Sequence, residues 1–281
     1  MTALARLLDV APVDGDCWTG PASATDEKRT FGGVLLGQAL VAAARSAGDK
    51  LCHALHALFV AGGVAEAPST IAVTRLRDGR SFVSRGVAIS QSDRLLVSAL
   101  ASFHDGNDGP AHQVAMPEVQ LPDALEDQRE TRRRNAAQRG EAARRYASEE
   151  LLDCRPLDLP PDTSAGVEGR RYLWFRAREA LSDDPVLHQG AIAFASDAGL
   201  VHVGTLPHNW LGSGSPLDFA SLDHTIRFHR PARADAWLLH VQHSPVATAG
   251  RGLARGTIFT ADGILVATTT QEFLLRFREE R

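Results

Sequence analysis

Apolar and polar positions along the chain fall into two passages built on the same plan. In the first, "GGVLLGQALVAAARSA" (residues 32–47) is apolar on nearly every side and rich in Ala, which with its length predicts a buried helix. An apolar strand, "HALFVAGG" from His56, follows, and "SRGVAISQSDRLLVSALASF" (84–103) reads as strand, turn and long strand. In the second, "GAIAFASDAGLVHVG" (190–204) predicts a helix that starts near His188 and carries Asp197 in its middle. "HTIRFHRPA" from His224 then predicts a strand, and "ARGTIFTADGILVATTTQEF" (254–273) a hairpin turning at Asp262-Gly263. Aligned through Val97 and Val266, the two hairpins set Ser102 opposite Gln271. A pattern stated twice predicts duplication. A helix that is apolar all round needs a sheet about it. The expected architecture is therefore α+β: two tandem repeats, each a curved antiparallel sheet wrapped around a long central helix.

The stretch between the passages differs in composition. Residues 121–154 mix Arg129, Arg132, Arg133, Arg134, Arg139, Arg144 and Arg145 with Glu126, Asp127, Glu130 and Glu141, and carry few large apolar side chains. A solvated helical linker is expected, with Pro156, Pro160 and Pro161 marking its end. The chain thus divides into a first repeat (1–120), a linker (121–165) and a second repeat (166–281). At the N-terminus Leu4, Leu7 and Leu8 have helical spacing, while Arg6 and Asp9 interrupt any run that would serve as a secretion signal. No stretch reaches the ~18–20 apolar residues of a membrane span, so no membrane partner is expected.

Bulk composition mainly excludes. A formal net charge of −4 over 281 residues offers no basic excess for nucleic acid. The three cysteines, Cys17, Cys52 and Cys154, are too scattered for a disulfide framework or a metal knuckle, and point to the cytoplasm. Among the eleven histidines, His240/His243 and His53/His56 are paired at i, i+3, which on a strand puts them on opposite faces. No metal and no other cofactor is expected. Gly33 and Gly37 have the GxxxG spacing that predicts close packing of their helix against the sheet, and the stretch lacks the Lys-Ser/Thr of a phosphate loop. "GSGSP" (212–216) is not a nucleophile elbow.

Asp197 is costly in so apolar a setting unless it is partnered or used. By residue type alone it fits a helix cap or an ion pair with Arg227, Ser221 an ordinary turn serine, and Gln271 an outward-facing strand residue. A further reading comes from "FGGVLLGQAL" (31–40), "RDGRSFVSR" (77–85), "ASDAGLV" (195–201), "LDHTIRFHRP" (222–231) and "GILVATTTQE" (263–272), in that order and at that spacing. Together they resemble the type II acyl-CoA thioesterases, a family with a double hot dog fold.

The resemblance implies hydrolysis of acyl-CoA to free acid and CoA by activated water, a place in fatty acid metabolism, and a homo-oligomer, dimer or tetramer. It also implies a catalytic trio of Asp197, Ser221 and Gln271, with Ser221 where the better-known members carry Thr. The first repeat has "FVAGG" (59–63) where the family usually has an Arg-Pro pair, which the second keeps as Arg230-Pro231. Two other readings stand beside this one. A hot dog enoyl-CoA hydratase-like enzyme would use Asp197 with His202, five residues on, although "AGLV" lacks the Asn-Pro usual there. A catalytically silent acyl-CoA-binding protein would need neither. His224 and His229 are expected to serve structure or to support the site from behind.

Overall fold

The computed structural model describes residues 1–23, 25, 27–140, 142–159, 170–208 and 217–277; "GSGSP", Pro160 and Pro161 lie outside them. The first half runs α1 (Ala3–Leu8), β1 (Ala11–Asp14), β2 (Cys17–Gly20), α2 (Gly32–Ala44), β3 (Leu51–Phe59), β4 (Ser69–Asp78), β5 (Phe82–Gln91) and β6 (Arg94–His104). The second continues with α3 (Gln128–Gln138), α4 (Ala147–Leu151), β7 (Leu152–Leu159), β8 (Arg170–Ala177), α5 (Pro185–Ser196), α6 (Leu200–Val203), β9 (Leu217–Ser221), β10 (Asp223–Phe228), β11 (Leu238–Thr248), β12 (Arg251–Thr260) and β13 (Leu265–Phe277).

The strands lie in the order β1-β2-β4-β5-β6-β3-β10-β13-β12-β11-β8-β7, with β9 added on β13. Read outward from the centre, each half repeats one order. β3, β6, β5, β4, β2 and β1 on one side match β10, β13, β12, β11, β8 and β7 on the other. The halves meet in the antiparallel pair β3–β10, where Leu55 faces Ile226, so the duplicated units share a continuous ladder. The expected duplication and α+β class are both found here.

Period-two alternation explains which side chains enter the core. On β13 Ala267, Thr269, Gln271 and Phe273 are buried while Thr268, Thr270 and Glu272 are only partly so; on β6 Val97, Ala99, Ala101 and Phe103 are buried. The inward sets therefore align Ala101, not Ser102, with Gln271. Ser102 stands on the other face, bonded to His53 at 2.8 Å. Both pairings carry a register irregularity at the same place, at Ile89/Ser90 and at Ile258/Phe259, which matches Leu96 to Val266 and Val97 to Ala267, so an alignment made through the valines is one residue out.

Two helices back the sheet and each other. A Cβ on Gly33 would lie 2.2 Å from the Phe194 carbonyl oxygen, and one on Gly37 2.9 Å from that of Gly190. The α2–α5 approach is thus a backbone contact that only glycine permits. α5 opens with Asp184 accepting the Val186 N–H at 2.9 Å and Pro185 in the first turn. It does not continue through 190–204 as the apolar pattern suggests. It stops at Ser196, Gly199 takes φ +83°, and α6 starts afresh at Leu200. Asp197 consequently caps a helix end rather than sitting mid-helix.

The segment expected as a solvated linker does more than connect. α3 and α4 are helical as anticipated, but the chain then enters β7, where Leu152 and Cys154 are buried. Pro156 is accommodated because β7 is the outermost strand and its free edge needs no N–H. Upstream, Met116, Val119 and Leu125 cover the outer face of the second half, packing with Tyr172, Trp174 and Phe259. Arg85, 1% exposed, holds Ser46 and the Arg77 carbonyl at the end of α2, so its part in the "RDGRSFVSR" stretch is structural.

Gly33→Ala tests the helix contact. Alanine gains helix propensity, but its methyl meets a backbone oxygen that no rotamer can move. A net loss of about 1–3 kcal/mol is expected in chemical denaturation. Unchanged stability would mean that the helices separate freely.

Candidate active site

A cavity of about 690 Å³ opens where the two halves meet. The first half contributes the start of α2 (Phe31, Gly32) and the end of β3 with the following loop (Phe59 to Gly63). The second contributes the Asp197–Gly199 turn, His202 and the β9 end at Ser221. Gln128, Arg132 and Glu149, all from the segment read as linker, complete the wall.

Of the three residues singled out by resemblance, Asp197 and Ser221 line this cavity and Gln271 is buried behind them. Ser221 Oγ lies 3.5 Å from Asp197 Oδ1, a long contact, and Gln271 Nε2 donates to Ser221 Oγ at 2.8 Å. Asp197 is 7% exposed and Gln271 is fully buried, so Gln271 faces inward rather than outward. Each is fixed by its own element. Asp197 sits where α5 ends, and the next carbonyl, of Ala198, accepts from Gln242 Nε2 at 2.8 Å. Ser221 closes β9 against Phe273 of β13. Asp223 Oδ1 accepts the Glu272 N–H at 2.6 Å, and Leu222 is bonded to the Glu272 carbonyl, pinning the corner between β9 and β10.

The surroundings of Asp197 decide its charge. Burial pushes its carboxyl above the ordinary aspartate range; His224, Gln271, the Gly33 N–H and Ser221 oppose that rise by favouring the carboxylate. The Gly33 contact places the first turn of α2, the positive end of a helix from the other repeat, against this carboxylate. Phe31 at the helix cap offers no side-chain hydrogen bond; the Val34 N–H bonds the Phe31 carbonyl at 3.0 Å and the Gly33 N–H serves Asp197. A Cβ on Gly32 would stand 2.7 Å from Asp197 Oδ2. Arg227, the alternative ion partner, is exposed on the opposite face of β10.

Behind the trio, His224 Nδ1 lies 2.6 Å from Gln271 Oε1 and its Nε2 2.9 Å from Ser196 Oγ. Burial lowers the basicity of His224, which is fully enclosed. A second buried chain runs beside it: Gln242 to His240 at 2.9 Å and His240 to Thr269 at 3.0 Å. His202, the partner required by the hydratase-like reading, lines the cavity with its ring edge-on to Phe219 at 5.9 Å. Among the described residues no hydrogen bond joins it to Asp197.

The acidic and basic groups of the linker face each other across the wall. Arg132 Nη2 meets Glu149 Oε1 at 2.6 Å, Gln128 donates to the same oxygen at 2.8 Å, and the guanidinium lies 4.3 Å over the Tyr146 ring. Glu27 accepts the Ala147 N–H at 2.7 Å, and burial raises its carboxyl. These residues escaped the sequence reading because a run of mixed charges looks the same whether it is solvated or turned toward a cavity. His224 had a usable signal: Ile226 and Phe228 share its face, so alternation turns it inward. Among the described residues no cluster of metal-ligating side chains is present, and no helix is long and apolar enough to cross a membrane.

Comparison with known proteins agrees with this geometry. Residues 20–104 match the acyl-CoA thioesterase N-terminal domain and residues 120–275 the acyl-CoA thioesterase C-terminal domain. Human acyl-coenzyme A thioesterase 8 is 34% identical over 98% of this chain and 89% of its own length. Acyl-CoA thioesterase 2 of Haemophilus influenzae is 33% identical over 98% of each. The crystal structure of an acyl-CoA thioesterase II, TesB2, from Mycobacterium marinum superposes with a TM-score of 0.83 at 36% identity, covering 100% of this chain and 99% of that one. A hot dog protein from Alicyclobacillus acidocaldarius, 20% identical with a TM-score of 0.73, shares the fold. With both halves of the duplicated chain matched in order and relatives above 30% identity along nearly all of it, the chain belongs to the acyl-CoA thioesterase family and has its double hot dog fold.

Proposed function

We propose that this protein hydrolyses acyl-CoA to the free carboxylic acid and CoA by direct attack of water, with Asp197 as general base and Ser221 and Gln271 as its partners. The observation that carries the reading is the convergence of these three side chains beside a cavity that Asp197 and Ser221 line, with the first turn of α2 against the Asp197 carboxylate. A thioester carbonyl is electrophilic enough for water to attack once a base removes its proton, and no covalent nucleophile is then required. Asp197 accepts that proton. Ser221 and Gln271 hold the carboxylate in line for the water, and the positive end of α2 meets the charge that develops on the carbonyl oxygen. The proton goes on to the departing thiolate, so that acid and CoA leave with charge balanced.

Free cysteines, with Cys52 and Cys154 buried, support the cytoplasm as the place of action. Leu58, Leu76 and Leu100, each more than half exposed on the outer side of the first repeat, support assembly of whole chains into a dimer or tetramer. The matched relatives support a role in fatty acid metabolism.

Thiol release from acyl-CoAs of short, medium and long chain tests the activity, with hydration of an enoyl-CoA followed alongside. Release is expected and hydration is not; the reverse result would hand the site to Asp197 and His202. Asp197→Asn should cut kcat/KM by about 10²–10⁴-fold, the range for a lost general base. Stability should move the other way. The folded carboxyl titrates above its unfolded value, so its contribution is complete at acid pH and is lost as pH rises through the folded value. At neutral pH the asparagine variant, freed of a buried charge, should melt at or above the wild-type temperature.

The wild-type rate should fall as pH drops through this raised value, since only the carboxylate is a base. A pH–rate profile for kcat, flat through acid pH, would remove Asp197 from that role. Ser221→Thr should keep activity within about threefold because the hydroxyl is retained, whereas Ser221→Ala should lose about 10-fold or more.

A further inference from the structure

We propose that His224 is a positioning residue for this hydrolysis: as the tautomer protonated on Nδ1, it locks the side-chain amide of Gln271 with both N–H bonds turned toward Ser221 and Asp197. The proposal rests on the hydrolytic reading above and adds the group that sets its geometry.

The hydrogen-bond inventory carries the argument. A carboxamide oxygen only accepts, so the 2.6 Å contact between Gln271 Oε1 and His224 Nδ1 needs the proton on Nδ1. In a neutral ring Nε2 is then bare, and the single Ser196 Oγ–H, which donates to the Ala193 carbonyl at 2.8 Å, is shared with it at 2.9 Å. The donors now run one way. Ser196 shares its one proton between the Ala193 carbonyl and His224, His224 donates to Gln271, Gln271 to Ser221 at 2.8 Å, and Ser221 to Asp197 at 3.5 Å. Gln271 has a second N–H, and its amide favours the charged form of Asp197, the effect of a donor turned toward the carboxylate.

The terminal torsion of a glutamine is broad and roughly two-fold, so the backbone of β13 does not choose between the two amide orientations. Reversal would turn the oxygen onto Ser221 and toward the Asp197 carboxylate, replacing two donors by an acceptor beside an anion. Among the described residues, His224 Nδ1 is the hydrogen-bond partner that holds Oε1 on the far side. The duplication supplies an internal comparison. β10 and β13 pair with Thr225 opposite Thr270, bringing the adjacent His224 and Gln271 side by side. At the matching inward place in the first repeat, β3 and β6 pair Leu55 with Ala101. Glutamine and histidine are present together in one repeat and absent together from the other.

A double-mutant cycle tests the assignment in the full chain, measuring kcat and KM for acyl-CoA hydrolysis by His224→Leu and His224→Asn, each alone and with Gln271→Ala. His224→Leu should lower kcat about 10–100-fold, the scale of a misplaced catalytic group, with KM within about threefold. In the Gln271→Ala background the same change should cost less than about twofold, because its effect passes through Gln271. His224→Asn, which returns an N–H near the place of Nδ1, should recover at least half of the lost activation free energy.

Equal losses in both backgrounds, or a loss confined to KM, would overturn the proposal. The wild-type protein gives an independent answer that needs no buried substitution: ¹⁵N shifts of labelled histidine should report His224 as neutral with its proton on Nδ1. A proton on Nε2 would refute the assignment whatever the kinetics. If the wild type released no CoA at all, the hydrolytic reading would fail while the tautomer still decided this one.

Discussion

The structure depends on one close approach, between a helix of each repeat, made possible where Gly33 and Gly37 stand against the carbonyls of Phe194 and Gly190. Side chains at those places would push α2 away from α5, and the amide of Gly33 would no longer reach Asp197. Packing and chemistry are therefore set by the same backbone contact. The apolar faces drive the helices against the sheet. The glycines let the drive continue until a positive helix end meets a buried carboxylate, which lowers the cost of enclosing that charge.

The rest of the site follows from how a sheet alternates. Gln271 and His224 lie on adjacent strands at positions that must point inward, where apolar residues would ordinarily stand, as Leu55 and Ala101 do in the first repeat. Buried polar groups of this kind are tolerated only when each finds a partner. The parallel chain through Gln242, His240 and Thr269 holds the Ala198 carbonyl beside the carboxylate. The floor of the second repeat thus carries two buried polar chains, the second leaving Gln242 Oε1 without a hydrogen-bond partner among the described residues, and the turn bearing Asp197 rests on them.

Much of this was legible in the sequence because duplication and periodicity are local signals repeated at a distance. The two apolar helices, the strand before each hairpin and the Asp262-Gly263 turn could be placed by residue type; Gly263 takes φ +88° as that turn requires. The resemblance brought Asp197, Ser221 and Gln271 together by name. What stayed hidden was set by tertiary contact. Gly199 looked like one more small residue in a helix, yet it ends that helix and makes Asp197 a terminus. Arg132 and Glu149 read as solvated charge, yet they are paired in the cavity wall. Ser102 was matched to the wrong face because Val266 stands at the irregularity of its hairpin while Val97 stands one residue past the same irregularity in the other, and nothing in the residue types marks where a strand gains an extra residue.

The ladder between β3 and β10 has a further consequence. Were the two units separate copies of one gene product, symmetry would write every substitution twice, and a helix terminus could not be refined for one carboxylate without altering its counterpart. Joined in one chain, the units have been free to diverge. The second carries the buried histidine and glutamine beside Asp197, while the first has Leu55 and Ala101 at the matching places and contributes the helix end that braces the carboxylate. Fusion here exchanges a second potential site for the liberty to build an asymmetric one.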